Sequence, residues 1–287
     1  MSSIYKKDMH SYFTTFTGYV FVACVLLVGG IYCYIYNLYY RYASFETAIS
    51  NLSFFFIFLI PVIASGVFTE EKKQKTEQLL YTLPLKSSEI VLGKYFALVT
   101  VIAIPMAILG IYPIILSAFG EVNFAAGYAN LLAMFLLAST LAAICMFISS
   151  LLGNMIVSAV VCFAVLYLLS QMSALSNSVS TSGKASFIGF VIIAVLIGVF
   201  VWFMTKNIYI AIIPTVALTI VFRLLYVLKL QLIAGKINLV LSSLAIFSRL
   251  DTFMNGIFDI SAIVYYLAIS IMFVFLTIYT FERRRWI

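Results

Sequence analysis

The feature that most limits the possible folds of this chain is a series of long apolar stretches. A helix needs about 20 mostly apolar residues to cross the hydrocarbon core of a bilayer. Eight stretches approach or meet this length, at residues 17–38, 52–69, 95–118, 128–151, 155–171, 187–205, 207–228 and 261–281. They lack the alternation of barrel strands, and lipid admits only helices and closed barrels. The sequence therefore predicts an all-α integral membrane protein, a polytopic bundle of about eight transmembrane helices.

The composition also indicates that lipid surrounds most of the chain. Of its 287 residues, 64% are hydrophobic and 9% are charged, whereas a soluble domain is about half apolar and about a quarter charged. This excludes a soluble enzyme and a nucleic-acid-binding domain, so no nucleic acid partner is expected. Cys24, Cys33, Cys145, Cys162 and the single His10 show no metal-ligand or disulfide spacing, so neither kind of site is expected.

The distribution of basic residues predicts the orientation. The 17 Lys and Arg residues flank the apolar stretches, as topology signals and contacts to anionic membrane lipids do. With the N-terminus in the cytoplasm, 11 of them fall inside and six outside. Because cytoplasmic loops carry the excess of Lys and Arg, we expect a multi-pass protein with both termini inside. Residues 36–51 and 229–260 are then outside.

Two further segments are expected to lie at the membrane surfaces. Residues 4–16 mix aromatic residues with Lys6 and Lys7, which is typical of an interfacial helix on the cytoplasmic leaflet. Residues 234–260 are too polar to span and too apolar to be free in water. We expect short helices there, at the outer interface.

The span at 128–151 is rich in small residues and should pack closely, either within the chain or against a second permease. These residues are Ala129, Ala133, Ala138, Ser139, Ala142, Ala143, Ser149 and Gly153.

The longest polar stretch, residues 70–94, lies on the predicted cytoplasmic side. Within it, Glu71 and Lys75 form an i,i+4 pair, which suits an exposed helix. Lys72 and Lys73 are expected at the exposed rim of a contact with a cytoplasmic partner. Pro84 ends this helix, after apolar residues at 79–83 that a solvated loop would not need. The pattern favours a helix–turn–helix that projects an apolar tip towards a cytoplasmic partner.

The chain shows no energy source of its own. No acidic residue lies in the middle of a predicted span, where ion-coupled transporters place their ion-binding groups. Gly93 and Lys94 are the nearest approach to a phosphate-binding loop, but the upstream glycine is missing and Tyr95 replaces the Ser or Thr that binds Mg²⁺. The sequence therefore predicts no ATPase site, no catalytic residue and no cofactor.

The segment 70–94 resembles the cytoplasmic coupling region of ABC-2-type transporter permeases, the membrane subunits of ABC exporters. The resemblance rests on Glu71, Thr76, Leu79, Leu80, Thr82, Leu83, Pro84, Leu92, Gly93 and Lys94. The N-terminal YKKDMHSYF and the C-terminal RLDTFMNGIFDISAIVYYLAISIMFVFLTIYTFERRRW are similar to the ends of the gliding-motility-like branch. The hairpin at 187–228 is an addition to the six-span core of many members.

The resemblance implies a single transmembrane permease domain over 1–287, in the plasma membrane of a bacterium. Such a permease pairs with a second copy or paralogue and with two cytoplasmic ABC ATPase subunits, which bind the ATP. The residues expected to contact the ATPase are Thr76, Glu77, Leu79, Leu80, Thr82, Leu83 and Pro84, supported by Lys6 and Lys7 at the membrane surface. Arg249, Asp251 and Asp259 are expected at the outer mouth. The spans without buried charge favour an amphipathic or hydrophobic substrate, such as a peptide, lipid or drug.

Two alternatives belong to other classes of protein. A membrane-embedded enzyme acting on lipid substrates would need convergent polar groups on one face, for which Arg223, Arg249, Asp251 and Asp259 are the candidates. An ion-coupled secondary transporter is disfavoured by the absence of intramembrane acids and of a repeat between the two halves.

Overall fold

The computed structural model describes residues 2–40, 44–73, 86–180, 182–205, 207–228 and 235–285. These residues form helices and short connections, with no strand among them, which confirms the predicted all-α polytopic membrane protein. The helices are α1 (Ser2–Thr14), α2 (Thr17–Cys33), α3 (Phe45–Ser50), α4 (Leu52–Ala64), α5 (Gly66–Lys73), α6 (Ser87–Leu109), α7 (Tyr112–Leu116), α8 (Phe124–Leu151), α9 (Met155–Ser178), α10 (Gly183–Thr205), α11 (Ile208–Leu228), α12 (Lys236–Leu244), α13 (Asp251–Met254) and α14 (Ile260–Arg285).

Six of the eight predicted spans lie in helices that are long and apolar enough to cross a membrane, counted over the described residues. These helices run over 17–39, 45–73, 87–116, 124–151, 155–178 and 260–283. The other two predicted spans are the helices α10 and α11, whose apolar stretches are the shorter Ser186–Val199 and Ile212–Arg223. The hairpin that they form was expected from the sequence, while its crossing of the membrane stays a prediction.

The chain divides into two compact units, residues 1–168 with 246–287, and residues 169–245. At the centre of the first unit is α8, which contacts α3, α4, α5, α6 and α14. Every residue from Leu137 to Ser150 is buried, because small side chains on α8 let neighbouring helices approach on all sides. This confirms the close packing predicted for the span. The exceptions are Ala129, which is half-buried, and Gly153, which is exposed.

Buried polar side chains hold the helices around α8 in register. Thr140 of α8 donates to the carbonyl of Tyr266 at 3.1 Å and lies 3.0 Å from the hydroxyl of Ser270, both on α14. Nearer the start of α8, the Asn130 amide donates to the carbonyl of Glu46 at 2.9 Å and to the Ser50 hydroxyl at 3.0 Å. Unpaired polar groups are costly in a low-dielectric interior, so these bonds fix the helix pairs that can satisfy them.

The second unit contains the α10–α11 hairpin and α12. The rings of Phe190 and Phe222 stack across the hairpin with their centroids 4.6 Å apart. The amide of Asn238 on α12 donates to the carbonyls of Ser176 at 2.7 Å and Val179 at 2.8 Å. Helix α12 is thereby fixed to the end of α9.

The two predicted surface segments both contain helices. Residues 4–16 correspond to α1, and residues 234–260 contain α12, a 3₁₀ turn at Phe247–Leu250 and α13. Their positions relative to the bilayer, and a single domain over 1–287, stay predictions.

Candidate functional site

The residues predicted to contact an ATPase, from Thr76 to Pro84, lie outside the described residues. Their flanks are described: α5 ends at Lys73 and α6 begins at Ser87. Both flanks lie at the end of the first unit that also carries Lys7, Lys72 and Lys94. We call this the basic end. The site described below lies on the helices that residues 74–85 connect along the chain, and we call it the base.

Lys94 is the central group of the base. It lies on α6, and its side chain is only 2% exposed. The ammonium group contacts Glu71 Oε1 of α5 at 2.9 Å, Asp8 Oδ2 of α1 at 3.4 Å and the carbonyl oxygen of Val67 at 3.1 Å. Taking an unpaired ammonium out of water costs several kcal/mol. The two carboxylates and the carbonyl supply the partners that make this burial possible.

Glu71 connects Lys94 to a second cation. The same oxygen, Oε1, accepts a hydrogen bond from Lys7 of α1 at 2.9 Å. Lys7, Asp8, Glu71 and Lys94 thus form a charge cluster, with two cations and two anions drawn from α1, α5 and α6. The sequence analysis placed Glu71 on an exposed helix face, paired with Lys75. That expectation was wrong, because Glu71 is buried and turned towards Lys94.

The two members of the cluster on α1 differ in how they titrate. Burial raises the pKa of Asp8, and the opposing attraction of Lys94 does not cancel this effect. Partial burial lowers the pKa of Lys7, but the hydrogen bond and charge of Glu71 outweigh it and raise the pKa. Lys7 therefore stays charged at neutral pH, and the Asp8 carboxylate binds a proton more readily than an exposed aspartate does.

Lys72 joins α5 to a different helix. Its ammonium donates to the carbonyls of Ser150 at 2.6 Å and Leu152 at 2.7 Å, at the C-terminus of α8. A cation there pairs with carbonyls that have no partner within the helix and with the negative end of the helix dipole. The expectation that Lys72 is a rim charge was therefore wrong, while its neighbour Lys73 is exposed as expected.

Helix α1 packs onto the bundle through the face that also carries Asp8, since Ile4, Asp8 and Tyr12 follow one another at i,i+4 spacing. Ile4 is buried, the Tyr5 hydroxyl donates to Thr100 Oγ1 at 3.2 Å and the Tyr12 hydroxyl donates to the Ile63 carbonyl at 3.4 Å. Of the two lysines predicted at the membrane surface, Lys7 belongs to the charge cluster, while Lys6 is exposed.

The residues predicted at the outer mouth lie around the start of α14, far along the chain from the base. The Arg249 guanidinium lies over the Tyr265 ring, 5.4 Å from its centroid. Asp259 Oδ1 accepts from the backbone and hydroxyl of Ser261 at 2.8 and 2.7 Å, which lowers the pKa of Asp259. It therefore caps α14. Partial burial raises the pKa of Asp251, which begins α13. A role of these residues at an outer mouth stays a prediction.

The sequence analysis named Glu71 and Lys94 as parts of one motif but did not predict their contact, and it did not identify Asp8. A usable signal was present: Lys94 is the only charged residue within 90–120. A lone cation at such a position needs a buried anion.

Comparison with known proteins identifies the family of the chain. No curated protein and no solved structure matches the chain significantly. The sequence model of one family, described as ABC-2 family transporter protein, matches residues 6–164, more than half of the chain. The match contains α5, α6 and the part of α1 from residue 6 onward, and so all four residues of the charge cluster. The chain therefore belongs to the ABC-2 transporter family and is the membrane-spanning permease subunit of an ABC transporter.

Proposed function

We propose that this permease belongs to an ATP-driven exporter in the plasma membrane of a bacterium. In this proposal it pairs with a second permease, a copy or a paralogue, and with two separate ATPase subunits that bind the ATP. Closure of the ATPases would open a path between the two permeases for a peptide, lipid or drug of amphipathic or hydrophobic character. Membership in the ABC-2 family supports the association with an ABC ATPase.

The observation that carries this proposal is the closed base of residues 74–85. Glu71 precedes these residues and Lys94 follows them, and the two side chains form a buried ion pair of 2.9 Å. This ion pair joins the end of α5 directly to the first half of α6. Force applied to 74–85 then reaches α5 and α6 instead of being lost in a flexible connection.

Two further contacts would carry that force into the bundle. Lys7 links Glu71 to α1, and Lys72 links α5 to the end of α8, the helix at the centre of the first unit. A segment that served only as a solvated connection would gain nothing from these bonds to three different helices.

The proposed contact with the ATPase is the apolar tip, whose core is Leu80 and Leu83. Apolar anchors at the centre of an interface commonly cost about 2 kcal/mol or more when truncated, whereas charges at its rim cost little. A loss of about 2 kcal/mol corresponds to association weakened about 30-fold.

The test is the amount of ATPase that co-purifies with variants of the permease. We expect Leu80→Ala and Leu83→Ala to retain little ATPase and little ATP turnover in nanodiscs, while Lys73→Ala retains both. Leu132→Ala, at an exposed position on α8, controls for the loss of a leucine in itself. Normal association of both tip variants at normal expression would contradict the proposed docking.

A further inference from the structure

The helical segment that leads into residues 74–85 is interrupted at a single residue, Ser65, whose own backbone stays helical and whose N–H donates to the Pro61 carbonyl at 3.0 Å. α4 ends at Ala64 and α5 begins at Gly66, with Ser65 between them. Pro61 lies within the last turn of α4 and cannot donate a backbone hydrogen bond. Prolines and Gly/Ser pairs are established causes of helix bending, and here both occur within six residues.

A side chain from another helix is inserted at this break. Ser149 of α8 donates its hydroxyl to the carbonyl of Ser65 at 2.7 Å and accepts from the backbone N–H of Phe68 at 3.3 Å. The first N–H groups of a helix lack partners within it, and Phe68 lies in the first turn of α5. One hydroxyl thus joins the last residue before the break to the first turn after it.

Two more observations concern Ser65. Its carbonyl also accepts from the Thr69 hydroxyl at 2.6 Å, a bond from position i+4 that bends helices. Its own hydroxyl is completely buried and has no hydrogen-bond partner among the described residues. A buried hydroxyl without a hydrogen-bond partner is costly. A second orientation of α5 in which the Ser65 hydroxyl found a partner would recover part of this cost.

Helix α5 also has space on one side. A cavity of about 180 Å³ lies between α1 and α5, lined among others by Tyr12, Gly66, Val67 and Glu70. On its other side α5 contacts α8. With eight residues, α5 is about 12 Å long, so a rotation of about 15–20° at Gly66 would move its far end by about 3–4 Å.

We propose that Ser149 is the positioning residue of a hinge at Ser65 and Gly66, about which α5 rotates when the ATPase moves residues 74–85. The inference rests on the proposed function and adds to it the point at which the motion enters the bundle. The two hydrogen bonds of Ser149 hold the start of α5 in the described state, as Glu71 and Lys72 hold its end, so that a movement of that end becomes a defined rotation about the start.

The experiment measures this rotation directly. In a cysteine-free background, spin labels are placed at Lys73→Cys, the end of α5, and at Gly153→Cys, where an added side chain meets open space. The permease is purified in nanodiscs with the ATPase that co-purifies with the wild-type chain. The distance between the labels is measured without nucleotide and with ATP plus vanadate.

Ser149→Ala removes the inserted hydroxyl, and Ser150→Ala is its matched control. The Ser150 hydroxyl is also buried but donates within its own helix, to the Phe147 carbonyl at 2.6 Å. A purely structural effect of losing a buried serine would appear in both variants. Gly66→Ala tests the same hinge from α5, because Ala favours a continuous helix more than Gly does.

In wild type and Ser150→Ala we expect the distance between the spin labels to change by about 3–4 Å between the two nucleotide states. In Ser149→Ala and Gly66→Ala, with the ATPase still bound, we expect this change to be less than about half as large. An unreduced change in Ser149→Ala, or no change in wild type with the ATPase bound, would overturn the hinge but not the proposed function. Failure of the wild type to bind any ATPase would overturn the proposed function, and the hinge with it. If Ser149→Ala does not fold, Gly66→Ala decides the outcome alone: a reduced change supports the hinge and an unreduced one overturns it.

Discussion

Replacing Lys94 with methionine tests the reasoning about the charge cluster most directly. The substitution keeps the length and apolar stem of the side chain and removes only the ammonium. Glu71 then keeps Lys7 as its partner, but Asp8 loses the cation that it contacts at 3.4 Å. The variant thus buries an anion without a partner.

The expected magnitude follows from how deeply the groups are buried. The side chains of Glu71 and Asp8 are 11% and 13% exposed, so water screens their charges little. Removing one partner of a buried ion pair commonly costs about 3–5 kcal/mol. We expect a loss near the lower limit, about 3 kcal/mol, because Lys7 still neutralises Glu71. This corresponds to a decrease on the order of 10 °C in the apparent thermal midpoint.

Lys7→Met is the matched control. The Lys7 side chain is 57% exposed, and exposed ion pairs contribute about 0–1 kcal/mol. The assay is the thermal midpoint in detergent or nanodiscs, followed by size-exclusion chromatography. A midpoint for Lys94→Met equal to that of wild type, or a smaller decrease than for Lys7→Met, would refute the structural role of the cluster.

The effect of Lys94→Met should also depend on pH. Burial already raises the pKa of Asp8 in the wild type, and removing Lys94 takes away the main opposing charge and raises it further. A carboxyl whose pKa is raised by folding is destabilising above that pKa, and this penalty disappears as the pH falls towards the unfolded value. We therefore expect the deficit of Lys94→Met to shrink as the pH falls from 7 towards 3.8, the ordinary pKa of an aspartate. A deficit that is constant over this range would mean that Asp8 does not carry the cost.

The remaining predictions concern other contacts of the bundle. Lys72→Met should lower stability by about 2 kcal/mol through the loss of charged hydrogen bonds, whereas Lys73→Met should stay within about 0.5 kcal/mol of wild type; equal midpoints would contradict the capping of α8. In intact cells an impermeant thiol reagent should label Lys236→Cys, and Lys73→Cys only after permeabilisation, and the reverse would overturn the orientation. Ala142→Leu should cost about 1–3 kcal/mol by overpacking α8, while Leu132→Ala at an exposed position should be nearly neutral; a stable, well-assembled Ala142→Leu variant would count against close packing.

The sequence alone was sufficient for the class of fold. The apolar stretches and the scarcity of charge leave only helices in lipid, and these are local properties that the length of a segment reveals. The motif proposed for coupling, with Glu71 and Lys94 among its residues, was also visible in the sequence and lies within the residues 6–164 that the family model matches. Helix α1 was predicted for the same reason, from its local mixture of aromatic and basic residues.

Tertiary structure decided which of these residues meet. Lys94 and Asp8 are 86 positions apart, and Ser149 and Phe68 are 81 apart. In an almost uniformly apolar helix the pattern of side chains does not indicate which face turns towards which neighbour, so these contacts cannot be read from it. The rotation of each helix about its own axis is set by packing of small residues and by the pairing of the few polar groups. That rotation turned Glu71 and Lys72 from the expected exposed face to partners on α6 and α8.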